Sequence, residues 1–206
     1  MSADPKQRSR LTFDKDAANY DRAWMYADVR RRYQAVVNEV VRHPFVTCLD
    51  VGCGTGALLA MVGGERPSAR LSGVDLSQEM IMMARDKLPS STHLVVGDSE
   101  RLPVGDQAFD LIMCTFSFHH YPNPLAALGE MRRVLAPSGT LIVADIWGPA
   151  ILRGAMNIIL RLGNKGDVRT YSQQEITHLA QTAGLTVTKW STIDWHAYLM
   201  VAARQR

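Results

Sequence analysis

Three glycines separated by single residues follow a short apolar run and form the most distinctive pattern in the chain. A helical pattern begins directly after this segment, which reads Leu49-Asp50-Val51-Gly52-Cys53-Gly54-Thr55-Gly56. Because glycine has no Cβ atom, such a loop adopts positive φ angles readily and lets a ligand lie on the backbone. Position 57 is alanine, which fits only the looser form of the dinucleotide fingerprint, and no Gly-Lys-Ser/Thr follows. The pattern predicts a ligand-binding loop, excludes a Walker phosphate loop and leaves the ligand open.

Three acidic residues stand at the ends of successive predicted strands. Asp50 lies just before the glycine loop, Asp75 follows the last glycine by 75 − 56 = 19 residues, and Asp98 ends a third apolar run. Carboxylates in these places could hold an ammonium group, the hydroxyls of a ribose and an adenine amino group, respectively. Each aspartate alone is equally explained as a helix cap or a solvated strand end, but three together favour a site. S-adenosyl-L-methionine carries all three of these groups and matches this pattern better than a pyrophosphate-bearing cofactor does.

These residues must be positioned by a fold in which apolar strands alternate with helices, the pattern of a parallel sheet covered on both faces. The predicted strands are residues 46–51, 71–76, 93–96, 109–116, 140–146, 185–190 and 195–203. Only residues 191–194 separate the last two strands, too few for a crossover helix, so an antiparallel hairpin at one edge is expected.

Helical periodicity, prolines and polar caps predict the remaining elements. The predicted helices are residues 17–41, 58–62 (ended by Gly63 and Gly64), 78–88, one opened by Pro122 and Pro124, and one begun by the capping box of Ser172 and Glu175. Residues 1–15 are polar and are expected to form a mobile arm, and residues 137–139 are expected to form a turn.

With its motifs taken in order, the chain resembles the class I S-adenosylmethionine-dependent methyltransferases, in the small-molecule group similar to the menaquinone/ubiquinone-pathway C-methyltransferases. The segments that carry the resemblance are residues 49–56, 73–77, 97–103, 109–112 and 133–139. The similarity extends roughly from Phe13 to the C-terminus. It implies a Rossmann-like three-layer α/β sandwich, with a seven-stranded, mostly parallel sheet whose last strand is antiparallel.

The resemblance also implies which residues hold the cofactor. Asp75 would bind the ribose, Asp98 the adenine, and Gly52 and Gly54 the methionine portion. Leu76 and Met80 would pack on the adenine, although a leucine and a methionine at this spacing are also typical of a simple core. Tyr20 would either bind the methionine carboxylate or be a half-buried helix residue. The complete predicted set is Tyr20, Asp50, Gly52, Cys53, Gly54, Gly56, Asp75, Leu76, Met80, Asp98, Ser99 and Thr115.

Two adjacent histidines follow the fourth predicted strand, at the place where this fold presents the methyl group. Either one could act as a general base, with His120 preferred over His119. Alternatively, one packs beneath the next helix and the other caps it. Methyl transfer relies on positioning and does not require a base. No metal site is expected because no carboxylate stands at ligand spacing from the pair.

Composition restricts the possible partners. The chain has 206 residues and a net charge of +3, which predicts one domain and no nucleic-acid partner. No apolar run reaches the length of a membrane span, the N-terminus has no signal-peptide core, and three cysteines do not suggest a disulfide framework. We expect a cytoplasmic monomer or homodimer that acts on a small-molecule acceptor. The residues after the fourth predicted strand, Cys114-Thr115-Phe116-Ser117, differ from the segment that is typical of nucleobase N-methylation.

The single domain 1–206 is divided into an N-terminal helical arm or lid (1–43), a cofactor-binding core (44–146), a substrate-cap insertion (147–171) and a C-terminal helix with a strand hairpin (172–206). The insertion suggests an apolar acceptor with an anionic group, or it is an ordinary surface helix; the residues in question are Arg153, Met156, Ile159, Arg161 and Arg169.

The functional prediction is methyl transfer from S-adenosyl-L-methionine, with S-adenosyl-L-homocysteine as product, to a small organic acceptor at oxygen or carbon. Two alternatives remain at the level of sequence. One is a non-catalytic subunit that retains the cofactor fold, and the other is an NAD(P)-dependent oxidoreductase, against which the missing substrate domain counts.

Overall fold

A computed structural model describes residues 4–22, 24–149, 153–154, 157–159 and 166–205, except for the side chains of residues 24–28. Part of the predicted substrate cap, including Met156 and Arg161, lies outside the described residues. In the part of the chain that the structure describes, no helix combines the length and the apolar character that crossing a membrane requires.

Seven strands form one sheet in the order β3-β2-β1-β4-β5-β7-β6. The strands are β1 (Thr47–Val51), β2 (Arg70–Asp75), β3 (His93–Val96), β4 (Phe109–Thr115), β5 (Leu135–Ile146), β6 (Leu185–Asp194) and β7 (Ala197–Arg204). Strand β7 runs antiparallel to both β5 and β6, while the other neighbours pair in parallel. The predicted fold class and the antiparallel hairpin are confirmed.

Helices cover both faces of the sheet. They are α1 (Pro5–Asp16), α2 (Trp24–Val40), α3 (Ala57–Glu65), α4 (Gln78–Lys87), α5 (Pro124–Val134) and α6 (Gln173–Thr182), with short 3-10 turns at Ala17–Asn19 and Phe118–His120. The capping box at Ser172 is present, and the Ser77 side chain caps α4 by accepting from the Met80 backbone N–H. These polar caps explain why both helices begin where the sequence predicts.

Two apolar cores lie on opposite faces of the sheet, which confirms the three-layer architecture. One core contains Leu128 of α5 and Ile176 of α6. The other contains Val36 of α2, Leu59 of α3 and Ile81 of α4. The central strands contribute to both cores, and their continuous apolar sequences follow from burial on two faces.

The predicted boundaries were wrong in five places. The helix predicted over residues 17–41 begins only at Trp24, after a 3-10 turn at Ala17–Asn19. The polar arm forms helix α1, which begins at a Pro capped by Asp4. Helix α3 continues through Gly63 to Glu65; a Cβ atom at Gly63 would lie 3.1 Å from Leu71, so glycine here permits close packing of α3 on β2. The predicted turn at 137–139 belongs to β5, where a register shift absorbs the extra residues, and β6 extends to Asp194.

The strand order reverses between β1 and β4. Strands β2 and β3 continue on one side of β1, and β5 continues on the side of β4. In open α/β sheets the connections leave such a point in opposite directions and open a crevice at the carboxyl ends of the strands. The glycine loop and the predicted aspartates therefore meet at this crevice.

Candidate functional site

Two adjoining cavities open at the carboxyl ends of β1, β2, β3 and β4, with volumes of about 560 and 480 Å³ including space open to solvent. Five residues line both cavities: Phe13, Gly52, Asp75, Ser117 and His120. Because these residues come from the N-terminal helix and from the ends of three strands, the crevice is walled by separate parts of the chain.

The glycine loop is pinned to the end of β2 by backbone hydrogen bonds. The N–H groups of Gly52 and Cys53 both donate to the carbonyl oxygen of Val74, over 2.7 and 3.1 Å. Gly52 has a φ of +77°, and a Cβ atom there would lie only 2.5 Å from Ser117 Oγ. Glycine is therefore required at position 52 both by its backbone angle and by the available space.

Asp75 links the glycine loop to the start of α4. Its carboxylate accepts from the Gly54 N–H over 2.8 Å and from the Ser77 N–H over 2.9 Å. Burial raises the pKa of Asp75, although these backbone hydrogen bonds oppose the rise. The same carboxyl group lines both cavities, so it combines a structural contact with exposure to a ligand.

The first cavity contains the residues predicted for the adenosine portion. Leu76, Asp98 and Ser99 line it together with Asp75. One Asp98 oxygen accepts from the Glu100 N–H over 2.9 Å, and the other accepts from Lys6 Nζ of α1 over 2.7 Å. The polar group that faces Asp98 in this structure is therefore a lysine of the N-terminal helix.

The second cavity contains Tyr20 and Gly54, which are predicted for the methionine portion, together with Cys53 and Thr115. Met80, which is predicted to pack on the adenine, also lines this second cavity, whereas Leu76 lines the first. The Thr115 hydroxyl is buried and has no hydrogen-bond partner among the described residues. Three aromatic rings, those of Phe13, Tyr33 and Phe116, complete the wall.

Two predicted cofactor residues do not line either cavity. Gly56 has a φ of +74° and begins α3. Asp50 is only 2% exposed, and burial, assisted by the charge of Asp75, raises its pKa to about 8. Its Oδ1 atom is buried without a hydrogen-bond partner within the described part of the chain. A buried carboxylate oxygen of this kind can pair with a cationic group that reaches it.

The two histidines occupy different environments. His120 lines both cavities, whereas His119 lines neither and is 9% exposed. Asp145 at the end of β5 holds His119 twice, accepting from its backbone N–H over 2.7 Å and contacting its Nδ1 atom at 2.6 Å. Burial lowers the pKa of His119, but the negative charges of Asp145 and Asp167 outweigh burial and raise it above its ordinary value.

A carboxylate does accompany the histidines, contrary to the expectation from sequence. Asp167 Oδ1 lies 3.1 Å from His120 Nδ1 and 3.5 Å from His119 Nε2. It is positioned by the backbone, because the N–H groups of Val168 and Arg169 both donate to the His119 carbonyl oxygen. Such a contact between distant parts of the chain leaves no spacing signal in the sequence.

Sequence reasoning also missed the contribution of α1. Lys6, Ser9, Arg10 and Phe13 line the first cavity. The one available signal was Phe13, a large apolar residue in a polar segment. Ser117 and Tyr121 were missed as well, although they lie in the segment that follows β4; their hydroxyls are 2.9 Å apart, and both contact the Val51 carbonyl oxygen.

The N-terminal segment is fastened to the loops that follow three strands. Lys6 pairs with Asp98 and Glu100 after β3, the Ser77 hydroxyl after β2 donates to Asp14, and the Thr55 hydroxyl after β1 donates to Asp21. Lys87 adds an ion pair to Asp21 at 2.5 Å. This segment therefore forms the outer wall of the crevice and is anchored at each of the ligand-facing loops.

Comparison with known proteins shows which family model and which relatives the chain matches. A family model described as a methyltransferase domain matches residues 49–143. The malonyl-[acyl-carrier protein] O-methyltransferase of Geobacter sulfurreducens is 32% identical over 191 residues, 87% of this chain and 70% of the relative. The demethylmenaquinone methyltransferase of Thermus thermophilus is 34% identical over 139 residues, 66% of this chain and 62% of the relative.

A solved structure agrees in fold. The 1,6-didemethyltoxoflavin-N1-methyltransferase of Burkholderia thailandensis, determined with bound 1,6-didemethyltoxoflavin and S-adenosylhomocysteine, superimposes with a TM-score of 0.71 at 17% identity, covering all of this chain and 92% of the other.

The chain belongs to the class I S-adenosylmethionine-dependent methyltransferases. It is therefore an enzyme that uses S-adenosyl-L-methionine, and the oxidoreductase and non-catalytic alternatives are set aside.

Proposed function

We propose that this methyltransferase acts on a small organic acceptor at an oxygen or carbon atom, in the cytoplasm, as a monomer or homodimer and without a nucleic-acid partner. The observation that carries the proposal is the composition of the crevice. Its first cavity contains two carboxylates suited to an adenosine, and His120 lines both cavities.

The residues of the crevice fit the cofactor. We assign the ribose hydroxyls to Asp75 and the adenine amino group to Asp98, with Leu76 of the first cavity and Met80 of the second against the ring. The unpaired Oδ1 atom of Asp50 beneath the loop suits the ammonium group of the methionine portion, directly or through a water molecule. The remaining predicted contacts come from the loop and its surroundings, namely Tyr20, Gly52, Cys53, Gly54, Ser99 and Thr115.

When bound, S-adenosyl-L-methionine supplies an activated methyl group on a sulfonium cation. The rings of Phe13, Tyr33 and Phe116 would attract this positive charge through cation–π contacts and keep water from it. Phe116 has a φ of +52°, an angle that non-glycine residues seldom adopt, so the end of β4 is held in an unusual conformation beside the site.

We assign proton acceptance to His120, which faces the cavities. The His120 imidazole would take up the proton that the acceptor atom loses when it is methylated. His119 is a positioning residue, because Asp145 fixes its ring and the two imidazole centroids lie 4.0 Å apart. Transfer to oxygen or carbon requires this proton to leave, whereas positioning supplies much of the rate.

The names of two relatives support an organic acceptor group and not a nucleic acid. One is named for O-methylation of malonyl-[acyl-carrier protein] and another for methylation of demethylmenaquinone. The insertion 147–171 is proposed to cover this acceptor, because its last described part, from Gly166 onward, reaches the histidines through Asp167.

Calorimetric titration of the purified chain tests the cofactor assignment. S-adenosylhomocysteine is expected to bind in a 1:1 ratio, while NAD and NADP do not bind at the same concentrations. Preference for NAD or NADP would contradict the proposed use of the crevice. With binding established, candidate hydroxyl and acidic carbon compounds are screened for release of S-adenosylhomocysteine; turnover of a nucleic acid but of no small acceptor would overturn the acceptor class.

A further inference from the structure

Two chain segments bring a cluster of two imidazoles and one carboxylate to the wall of the crevice. His119 and His120 lie in the turn after β4, and Asp167 is held against them by backbone hydrogen bonds to the His119 carbonyl. The side chains are only 11, 11 and 14% exposed. The cluster is thus built by the fold and is shielded from bulk water, unlike a chance group of surface residues.

The separations between the potential ligand atoms suit a bound cation. His120 Nδ1 and His119 Nε2 lie 3.1 and 3.5 Å from Asp167 Oδ1, and all three atoms lie within 4.8 Å of one another. Ligands at roughly 2.0–2.2 Å from a transition-metal ion are separated from one another by about 3.0–3.6 Å. The two distances to Asp167 already fall in this range.

The surroundings of His119 resemble those of a metal-binding histidine. Asp145 accepts at Nδ1, which places the proton of a neutral ring on that atom and directs the Nε2 lone pair toward Asp167. A cation between this lone pair and the carboxylate oxygen would bind both, in competition with a proton on Nε2. Carboxylate–histidine–metal arrangements of this kind orient the ligand and raise its basicity.

The geometry points to a divalent metal site formed by His119 Nε2, His120 Nδ1 and the Asp167 carboxylate, with Asp145 orienting His119. Two imidazole nitrogens and one carboxylate oxygen suit a first-row transition ion such as Zn²⁺ and disfavour Mg²⁺ and Ca²⁺, which prefer oxygen. Three protein ligands leave at least one position open.

Occupancy of this site has a consequence for the reaction, and that consequence rests on the proposed function. An ion bound to His120 Nδ1 occupies the lone pair with which the neutral ring would accept a proton. Metal binding and the base role therefore exclude each other. The ion is therefore expected to inhibit methyl transfer as the site fills.

Titration of the chelator-treated full chain with Zn²⁺, followed by calorimetry, and with Co²⁺, followed by visible absorption, tests the site. One equivalent of either ion is expected to bind, with no comparable binding of Mg²⁺. D167N and H120Q are each expected to weaken Zn²⁺ binding by at least about 10-fold, and D145N, which removes no ligand, by about 10–100-fold with an altered cobalt spectrum. H178Q and D86N, at exposed positions of α6 and α4, serve as matched controls with unchanged binding.

Absence of Zn²⁺ uptake by the native chain would overturn the metal site, as would uptake unchanged in both D167N and H120Q. Cooperative thermal unfolding verifies that each variant is folded, and if D167N fails this check, H120Q decides. S-adenosylhomocysteine is titrated separately. A chain that binds S-adenosylhomocysteine but no Zn²⁺ would contradict only the metal site, whereas Zn²⁺ uptake without cofactor binding would contradict only the proposed use of the crevice.

Discussion

Asp75 shows how one side chain serves both the fold and the ligand. Its two oxygens accept from backbone N–H groups of the glycine loop and of the first turn of α4. The carboxylate therefore fixes two ligand-facing segments relative to each other before any ligand arrives. A residue in this position is sensitive to loss of charge even when its size is preserved.

D75N is expected to weaken S-adenosylhomocysteine binding by roughly 10- to 150-fold. An amide has only one acceptor oxygen, so it cannot serve both backbone donors and the ribose, and hydrogen bonds to charged groups are worth about 1.5–3 kcal/mol. Calorimetric titration measures the change, with D86N on the exposed face of α4 as the matched control. An affinity equal to that of the native chain would exclude Asp75 from ribose binding.

Helix α1 illustrates what local patterns miss at the scale of an element. Its sequence is mostly polar, and among its side chains that line the first cavity only Phe13 is aromatic. No apolar stripe predicts it, because its side chains are held by polar contacts with distant loops. Asp167 was missed for the same reason, since its position depends on hydrogen bonds to a distant turn.

K6M is expected to loosen α1. Lys6 holds Asp98 and Glu100 at 2.7 and 2.6 Å, and all three side chains are partly exposed, so each contact is worth at most about 1 kcal/mol. Hydrogen exchange of the α1 amides should therefore accelerate by about 2- to 5-fold, while exchange in α5 stays as in the native chain. K15M, at the other end of α1, is the control; equal exchange in K6M and K15M would contradict an anchoring role for Lys6.

At the scale of the whole molecule, the sequence predicts the α/β class, the glycine loop, the Ser172 capping box and the C-terminal hairpin. Each of these depends on a local pattern: strand alternation, glycine spacing, a polar cap or a connection too short for a helix. The strand that begins at Leu135 was not predicted in full, because its first residues pair with β4 through a register shift that no turn propensity reveals. The chemical environment of the histidines likewise depends on three separate segments.

Ion pairs also join distant layers of the molecule. Glu39 of α2 is only 7% exposed and pairs with Lys189 of β6 at 2.6 Å. Burial raises the pKa of Glu39, but the hydrogen bond and charge of Lys189, with His43 and Arg42, outweigh it and lower the pKa below 4.5. A depressed carboxyl pKa stabilises the fold above about pH 4.5, and this contribution is lost as the pH falls through the lowered value.

E39Q is accordingly expected to reduce the free energy of unfolding by about 1–3 kcal/mol at pH 7, and the difference from the native chain is expected to shrink as the pH falls below about 4.5. Urea unfolding at a series of pH values measures this dependence. E65Q, at the exposed end of α3, is the control. A difference that is independent of pH would show that packing, not charge, accounts for the role of Glu39.

The segment between β5 and α6 is tied down at both of its ends by backbone atoms. Trp147 N–H donates to the His196 carbonyl at the entrance, and Val168 and Arg169 donate to the His119 carbonyl at the exit. Fixed ends limit the cost of a change in length between them, because each doubling of loop length adds only about 0.6 kcal/mol of closure free energy. Exchange of the residues between these anchors is therefore expected to leave the cofactor crevice intact, because other parts of the chain line it, and it directly tests the proposal that this segment covers the acceptor.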